Sequence, residues 1–344
     1  MKTIEIKGLE HKSTILVGET LDRLSSYIPN NNVIIITDEN VSGYYRKQFP
    51  KCPVITIGTG EKIKNLGTVA EIYQELLDMD AQRSSFIVGI GGGIVCDIAG
   101  FIASTFLRGV SFGFVSTTLL SQVDASVGGK NGVNFKGYKN MVGVFNLPEF
   151  VICDMTLLRT LPERELLCGF AEIVKHAAIE DVGLFEYLEA NYEKALALDP
   201  LVIEKLVHDS VLIKSRVVSR DEKEKGERRK LNFGHTFGHA IEKTLGLPHG
   251  ESVSLGMVMA AGLSVKKGLL TEKDAKRIKV LLEAYKLPTR IQFNRSSVLD
   301  ALTKDKKRSG DYIHFVLLNG IGDCVISDIS LEELEQVMDT ILIE

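Results

Sequence analysis

Three of the seven histidines fall within residues 232–251, NFGHTFGHAIEKTLGLPHGE, at spacings that let them close around one ion. His235 and His239 stand four apart, so on a helix both project from one face, one turn above the other. His249 follows between Pro248 and Gly250, where a turn can fold it back toward the pair. Imidazole nitrogens in this pattern suit a divalent metal. Within the helical stretch 164–179, Glu172 sits among Phe170, Ala171, Ile173 and Val174, and a carboxylate in apolar surroundings needs a partner for its charge. Glu172 with His235, His239 or His249 makes the mixed oxygen and nitrogen set of a catalytic ion that keeps a position open for substrate. The residues alone leave open which three bind.

A second chemistry lies in residues 84–104, SSFIVGIGGGIVCDIAGFIAS, where an apolar strand runs into Gly91, Gly92 and Gly93 and straight on into a helix. Glycines let the backbone approach a diphosphate, and the open N–H groups at the helix start favour an anion. The G-x-G-x-x-G pattern is not met, its sixth position being Ile94. Asp97, in the first turn, is stabilised by the helix dipole and can reach a ligand hydroxyl. Residues 111–148 then carry Thr117, Thr118, Gln122, Asp124, Lys130, Asn134, Lys139 and Asn140 between glycines, too many polar groups for a core. The segment reads as a loop wrapped round an anionic, polyhydroxylated ligand. Asp38, closing the apolar run 33–37, either takes ribose hydroxyls or caps the next helix.

The elements that must position these groups alternate: strands at 2–7, 13–17, 33–37, 54–57 and 85–90, with a helix at 66–77. Such alternation predicts a parallel sheet covered by helices on both faces, with ligands beyond the carboxyl ends of the strands. After residues 151–154 helical periodicity takes over to about residue 310, with helices at 164–179, 200–220, 252–267, 272–285 and 297–302. A strand pair at 312–318 and 323–326 and a last helix at 331–342 complete the chain. The charge run 221–230 reads as a solvated face, apart from Arg228, four before Asn232. The predicted organisation is α/β: a nucleotide-binding domain with a parallel sheet over residues 1–158, and a mainly α-helical metal and substrate domain over 159–344.

A length of 344 residues suits two domains, and 44% hydrophobic with 25% charged residues is the balance of an ordinary soluble protein. The net charge of −4, with no strongly basic half, argues against a nucleic-acid partner. No apolar run reaches about 18 residues and the start MKTIEIKG lacks a signal-peptide core, so a cytoplasmic protein without a membrane partner is expected. The five cysteines, Cys52, Cys96, Cys153, Cys168 and Cys324, form no C-x-x-C pair and read as thiols in a reducing compartment.

The segments GGGIVCDIAGF, STTLLSQVDASVGGKNGVN, KN at 139–140, LRTLPERE, GFAEIVKHA, LNFGHTFGHAIE, HGESVSLGM and DKK resemble, in this order and from end to end, the 3-dehydroquinate synthases of the shikimate pathway. The resemblance implies a Rossmann-like nucleotide-binding domain, an α-helical metal domain and an active site between them. It implies turnover of 3-deoxy-D-arabino-heptulosonate 7-phosphate to 3-dehydroquinate and phosphate through transient oxidation by NAD+, elimination, re-reduction and aldol closure. Zn2+ or Co2+ would be held by Glu172, His235 and His249, leaving His239 to the substrate. The NAD+ site would comprise Asp38; Thr59, Gly60, Glu61, Lys62, Ile63 and Lys64; Gly93, Ile94, Val95, Cys96 and Asp97; Thr117, Thr118, Lys130 and Lys139; and Leu157, Leu158, Arg159 and Thr160. Substrate contacts would come from Asp124, Lys130, Asn140, Glu172, Lys175, Lys214, Arg228, Asn232, His239 and Lys306. An arginine matching Arg108 reaches the phosphate of the neighbouring subunit in the family, which implies a homodimer. Residues 135–140, FKGYKN, depart from the His-Pro-x-Gly-Lys-Asn of many relatives, a segment in which cyclases of sedoheptulose 7-phosphate are similar, whereas Asp124 and Asn232 match the dehydroquinate synthases. The competing readings are such a cyclase and a metal-dependent polyol dehydrogenase.

Overall fold

Apolar runs without polar alternation are satisfied only inside a sheet covered on both faces. The computed structural model of the chain, which describes residues 1–8, 12–303, 308–309, 312–330 and 332–334, places two such runs at the centre of a seven-stranded sheet. Its contacts divide the chain into two compact units, residues 1–166 with 203–223 and residues 167–202 with 224–344.

In the first unit β1 (Lys2–Lys7), β2 (Lys12–Val17), β3 (Val33–Asp38), β4 (Val54–Ile57), β5 (Phe86–Gly91) and β6 (Ser111–Ser116) precede a hairpin of β7 (Lys130–Phe135) and β8 (Tyr138–Phe145), and β9 (Phe150–Cys153) follows. The sheet order is β1-β2-β9-β6-β5-β3-β4, parallel throughout except for the antiparallel edge pair β1 and β2. Ile35, Val88, Val115 and Ile152 from neighbouring strands are fully buried and form the centre of its core. Helices α1 (Glu39–Tyr45), α2 (Leu66–Asp78) and α3 (Gly93–Thr105) connect the parallel strands.

The segment 111–148, expected as a loop, holds a π-helical turn (Ser121–Ala125) and the β7–β8 hairpin. Its strands escape a search for alternation because β8 is exposed along much of its length. Close pairing is made possible by glycine: a Cβ on Gly132 would stand 2.6 Å from the Val142 carbonyl oxygen. The turn places Lys136 and Gly137 at φ 47° and 81°, the double left-handed geometry that matches strand twist.

The chain continues through α4 (Glu163–Glu180), α5 (Val182–Leu196) and α6 (Pro200–Arg220), of which α6 from Ile203 onward packs in the first unit. The second unit gathers most of α4, α5, α7 (His235–Leu245), α8 (His249–Lys266), α9 (Glu272–Ala284) and α10 (Arg295–Thr303), with β10 (Arg308–Ser309), β11 (Tyr312–Leu318) and β12 (Cys324–Ser330). Its core joins Phe237 and Ile241 of α7, Leu255 and Met259 of α8, and Ile313 and Phe315 of β11. Burying side chains of this size contributes about 1.5–3 kcal/mol each. Among the described residues no helix is long and apolar enough to cross a membrane. The helix expected at 331–342 and Lys306 lie largely or wholly outside the described residues.

Candidate active site

In the second unit α4 presents Glu172, which is completely buried and ion-paired with Lys175 one turn on, itself 1% exposed. His235 Nε2 lies 3.5 Å and His249 Nε2 3.3 Å from the same Glu172 oxygen. The three residues offer donor atoms that all lie within 4.8 Å of one another. The other nitrogen of each imidazole also has a partner: His235 Nδ1 is 3.1 Å from the Phe233 carbonyl and His249 Nδ1 is 3.3 Å from the Glu242 carboxylate. A metal-binding imidazole characteristically engages its second nitrogen in this way. One carboxylate oxygen and two imidazole nitrogens fit zinc or cobalt and leave room for an exogenous ligand.

Glycine makes the convergence possible. Gly234, at φ 75°, opens α7 in the left-handed region, where a Cβ would press on Met257 and the Val253 carbonyl. A Cβ on Gly250 would lie 2.3 Å from the Cα of Cys168, one turn before Glu172, so the start of α8 sits directly against α4. His249 is the first residue of α8 and His235 the first of α7. His235 and His239 lie side by side as their spacing predicts, ring centroids 5.2 Å apart, but the donor set that includes Glu172 joins His235 to His249 at the two helix starts. His239 is exposed, its ring edge-on to His235, and its donors group instead with those of Glu242 and His249.

Burial pushes His235 well below the usual imidazole range against the pull of Glu172, which favours the neutral, ligating form. Burial works the same way on His249, but hydrogen bonds to Glu172 and Glu242 outweigh it and hold its pKa up at about 10. Arg228 is 2% exposed in the short turn Glu227–Asn232. Asn232 Nδ2 donates to the Glu224 carboxylate at 2.6 Å. Glu224 thus leaves the solvated charge run to which its sequence context assigned it, and its φ of 56° marks the reversal that turns it inward.

In the first unit the carboxyl ends of β5 and β6 lie side by side, Gly91 opposite Ser116. None of Gly91, Gly92 and Gly93 has a positive φ; each is needed because a Cβ would meet Val95, Thr118 or Ala125 at 2.5–2.9 Å. Ile94 and Val95 continue the first turn of α3. Cys96 turns its thiol inward, and burial pushes its pKa up to about 12, so only its backbone can serve a ligand. Thr117 N–H donates to the Gly91 carbonyl at 3.0 Å, and Thr118 Oγ1 accepts from Ser121 N–H at 3.1 Å.

Around this end Lys64 is buried, ion-paired with Asp97 and donating to Asn140 Oδ1 at 2.6 Å. Burial pushes Asp97 up, opposed by Lys64. Thr59, Gly60, Glu61 and Lys62 are exposed, Ile63 half-buried, and Asn134 Nδ2 joins the hairpin to Glu61 at 2.7 Å. Lys130 opens β7 and Lys139 lies in β8, both exposed. Asp124, in the π-helical turn, accepts Lys214 Nζ on its carboxylate at 2.6 Å and its carbonyl at 2.5 Å.

Asp38 caps α1, its Oδ1 accepting from Val41 N–H at 2.9 Å. Leu157 and Leu158 are core side chains, whereas Arg159 and Thr160 are exposed and Thr160 Oγ1 lies 2.6 Å from the Tyr45 hydroxyl. Arg108 is exposed just after α3, the second of three consecutive residues with positive φ. Glu224 and Glu242 were not singled out in the sequence; Glu242 stands seven residues from both His235 and His249, a weak signal in a helix, and Glu224 is one acid among several in a charged run.

The family described as 3-dehydroquinate synthase N-terminal matches residues 54–168, and that described as 3-dehydroquinate synthase C-terminal matches residues 169–308. The chain is 40% identical to a 3-dehydroquinate synthase of Alkaliphilus metalliredigens over 99% of each chain. Among solved structures it is similar to a 2-deoxy-scyllo-inosose synthase complexed with carbaglucose-6-phosphate, NAD+ and Co2+, at 28% identity and a TM-score of 0.90, covering 99% of this chain and 100% of that one. It is also similar to the 2-epi-5-epi-valiolone synthase of Streptomyces hygroscopicus with NAD+ and Zn2+ bound, at 26% identity, a TM-score of 0.88 and 99% of each chain.

Proposed function

The chain belongs to the 3-dehydroquinate synthase family, and we propose that it converts 3-deoxy-D-arabino-heptulosonate 7-phosphate to 3-dehydroquinate and phosphate as a carbon–oxygen lyase that uses NAD+ with Zn2+ or Co2+. The observation that carries this reading is the convergence of Glu172, His235 and His249 in a chain whose structural relatives bind NAD+ with Co2+ or Zn2+. When bound, the nicotinamide takes up and returns a hydride, and the ion acidifies the hydroxyl at which oxidation begins.

The remaining work falls to the chain. Glu172, His235 and His249 hold the ion. Asp38, the segment from Thr59 to Lys64, Gly93 to Asp97, Thr117, Thr118, Lys130, Lys139 and Leu157 to Thr160 hold the dinucleotide, the two leucines through their backbone. Asp124, Lys130, Asn140, Lys175, Lys214, Arg228, Asn232 and His239 meet the substrate's phosphate, carboxylate and hydroxyls. Lys175 and Arg228 are too deeply buried to serve as solvated surface charge, which suits them to a substrate that carries both a phosphate and a carboxylate. Asp124 fixes where the Lys214 ammonium sits. Oxidation to a ketone acidifies the neighbouring C–H, the substrate's own phosphate takes that proton, and the C–O bond breaks as the phosphate leaves with it. Positioning that phosphate is therefore the main demand on the side chains. Lys306, outside the described residues, and Arg108, reaching across a homodimer, complete the phosphate contacts in this reading of a cytoplasmic enzyme.

The test is phosphate release from the heptulosonate phosphate with substoichiometric NAD+, with sedoheptulose 7-phosphate run beside it. Release from the first alone, without net NADH, supports the reading. Steady NADH accumulation from a polyol without phosphate release overturns it, and preference for the second sugar assigns another cyclase activity. Sedimentation equilibrium tests the dimer, with a monomer at micromolar concentration counting against the role of Arg108.

A further inference from the structure

His249 is held between two carboxylates, with Nε2 3.3 Å from Glu172 and Nδ1 3.3 Å from Glu242. The Glu172 side is the metal-facing one in the function proposed above, on which this inference rests. The Glu242 side has no role in that reading. Glu242 lies in the last turns of α7, its side chain only 10% exposed although the helix end is at the surface. A carboxylate withdrawn from water needs a compensating contact, and this one turns toward the next helix rather than outward.

The geometry of His249 explains what such a contact supplies. As the first residue of α8, reached through Gly246 at φ 68° and the extended Pro248, its side chain has no preceding helical turn to pack against. It is also the more exposed of the two imidazoles, 29% against 10% for His235. His235 is steered by a backbone carbonyl that its own chain fixes, that of Phe233. His249 depends on a side chain. We propose that Glu242 is the positioning residue for His249: by accepting from Nδ1–H it holds the ring in place and keeps a proton on Nδ1, so that Nε2, which faces Glu172, is the nitrogen available to an ion.

The experiment uses the full chain and three proteins: wild type, Glu242→Ala and Glu242→Gln. Zinc affinity is measured by competition with a chromophoric chelator, and the visible absorption of the Co2+ form is recorded. Glu242→Ala is expected to weaken zinc on the order of 10–100-fold and to shift the cobalt bands, while far-ultraviolet circular dichroism stays unchanged. Glu242→Gln keeps an acceptor for Nδ1–H and recovers most of the affinity and the original bands. Undiminished zinc affinity in Glu242→Ala, with wild type binding tightly, overturns this inference alone. Two ions per wild-type chain and one in the alanine variant overturn it as well, by making Glu242 a direct ligand. Failure of wild type to bind either metal overturns both this inference and the metal reading on which it rests.

Discussion

A Cβ on Gly256 would stand 1.9 Å from the carbonyl oxygen of Gly234, far inside any permissible contact. Helices α7 and α8 can lie this close only because Gly256 meets the Gly234 backbone and Gly238 meets that of Ser252. The separation sets where His235 and His249 emerge. Gly256→Ala must push the helices apart, at a cost of about 3 kcal/mol for a backbone collision in a packed interior. A lower unfolding temperature together with weakened zinc binding is expected, and a variant that keeps both would show that the crossing does not position the site.

Gly91, Gly92 and Gly93 make a parallel case in the first unit. A methyl on Gly91 would lie 2.5 Å from Val95, and one on Gly92 2.9 Å from the Thr118 methyl carbon. Gly92→Ala displaces Thr118 and the backbone proposed to face the dinucleotide, so NAD+ affinity is expected to fall by about tenfold or more, an energetic change of roughly 1.4 kcal/mol. Calorimetric titration with NAD+ checks it; a dissociation constant within twofold of wild type would place the dinucleotide elsewhere.

Much of this geometry is legible in the sequence. Glu172 among Phe170, Ala171, Ile173 and Val174 marked a buried charge, and it is fully buried. The apolar run into Gly91 to Gly93 marked a strand ending at a helix start, and β5 and α3 meet there. Four-residue spacing also placed His235 and His239 on one helix. Which of them faces Glu172 depends on how that helix is rotated, and the rotation is set by the left-handed Gly234 and by contacts with α8. Small residues that permit close approach leave no periodic trace. The β7–β8 hairpin was missed because an exposed strand has no apolar face to alternate, and Glu224 because a single inward-turned acid looks like its solvated neighbours.

Strain gathers at the turn after α3. Leu107 and Arg108 adopt φ of 50° and 70° without being glycine or asparagine, and Leu107 is 39% exposed, so its conformation is repaid by only partial packing. A side chain in the left-handed region costs about 1–2 kcal/mol. Leu107→Gly relieves that strain but adds about 0.5–1 kcal/mol of unfolded-chain entropy, so chemical denaturation is expected to show a stability within about 1 kcal/mol of wild type. If phosphate release falls, the strained turn is what aims Arg108; if it does not, Arg108 tolerates a looser backbone. Greater destabilisation would mean that the leucine packs more than its exposure indicates.

The buried thiols give a pH dependence whose sign is fixed. Burial pushes Cys96 and Cys324 up to about 12 from the ordinary thiol value of 9.0, and raises Cys153 as well. An acid whose pKa is raised by folding stays protonated in the native chain while the unfolded chain ionises. Stability is therefore retained below pH 9 and lost as pH rises toward 12, each thiol costing about 1 kcal/mol between pH 9 and 10. Denaturation midpoints should fall over that interval in wild type and fall less in a Cys96→Ala variant, measured against its own value at pH 8. In the same range a thiol reagent applied to the native protein should react first with the half-buried Cys52. Rapid modification of Cys96 or Cys324 at pH 8 would contradict their burial.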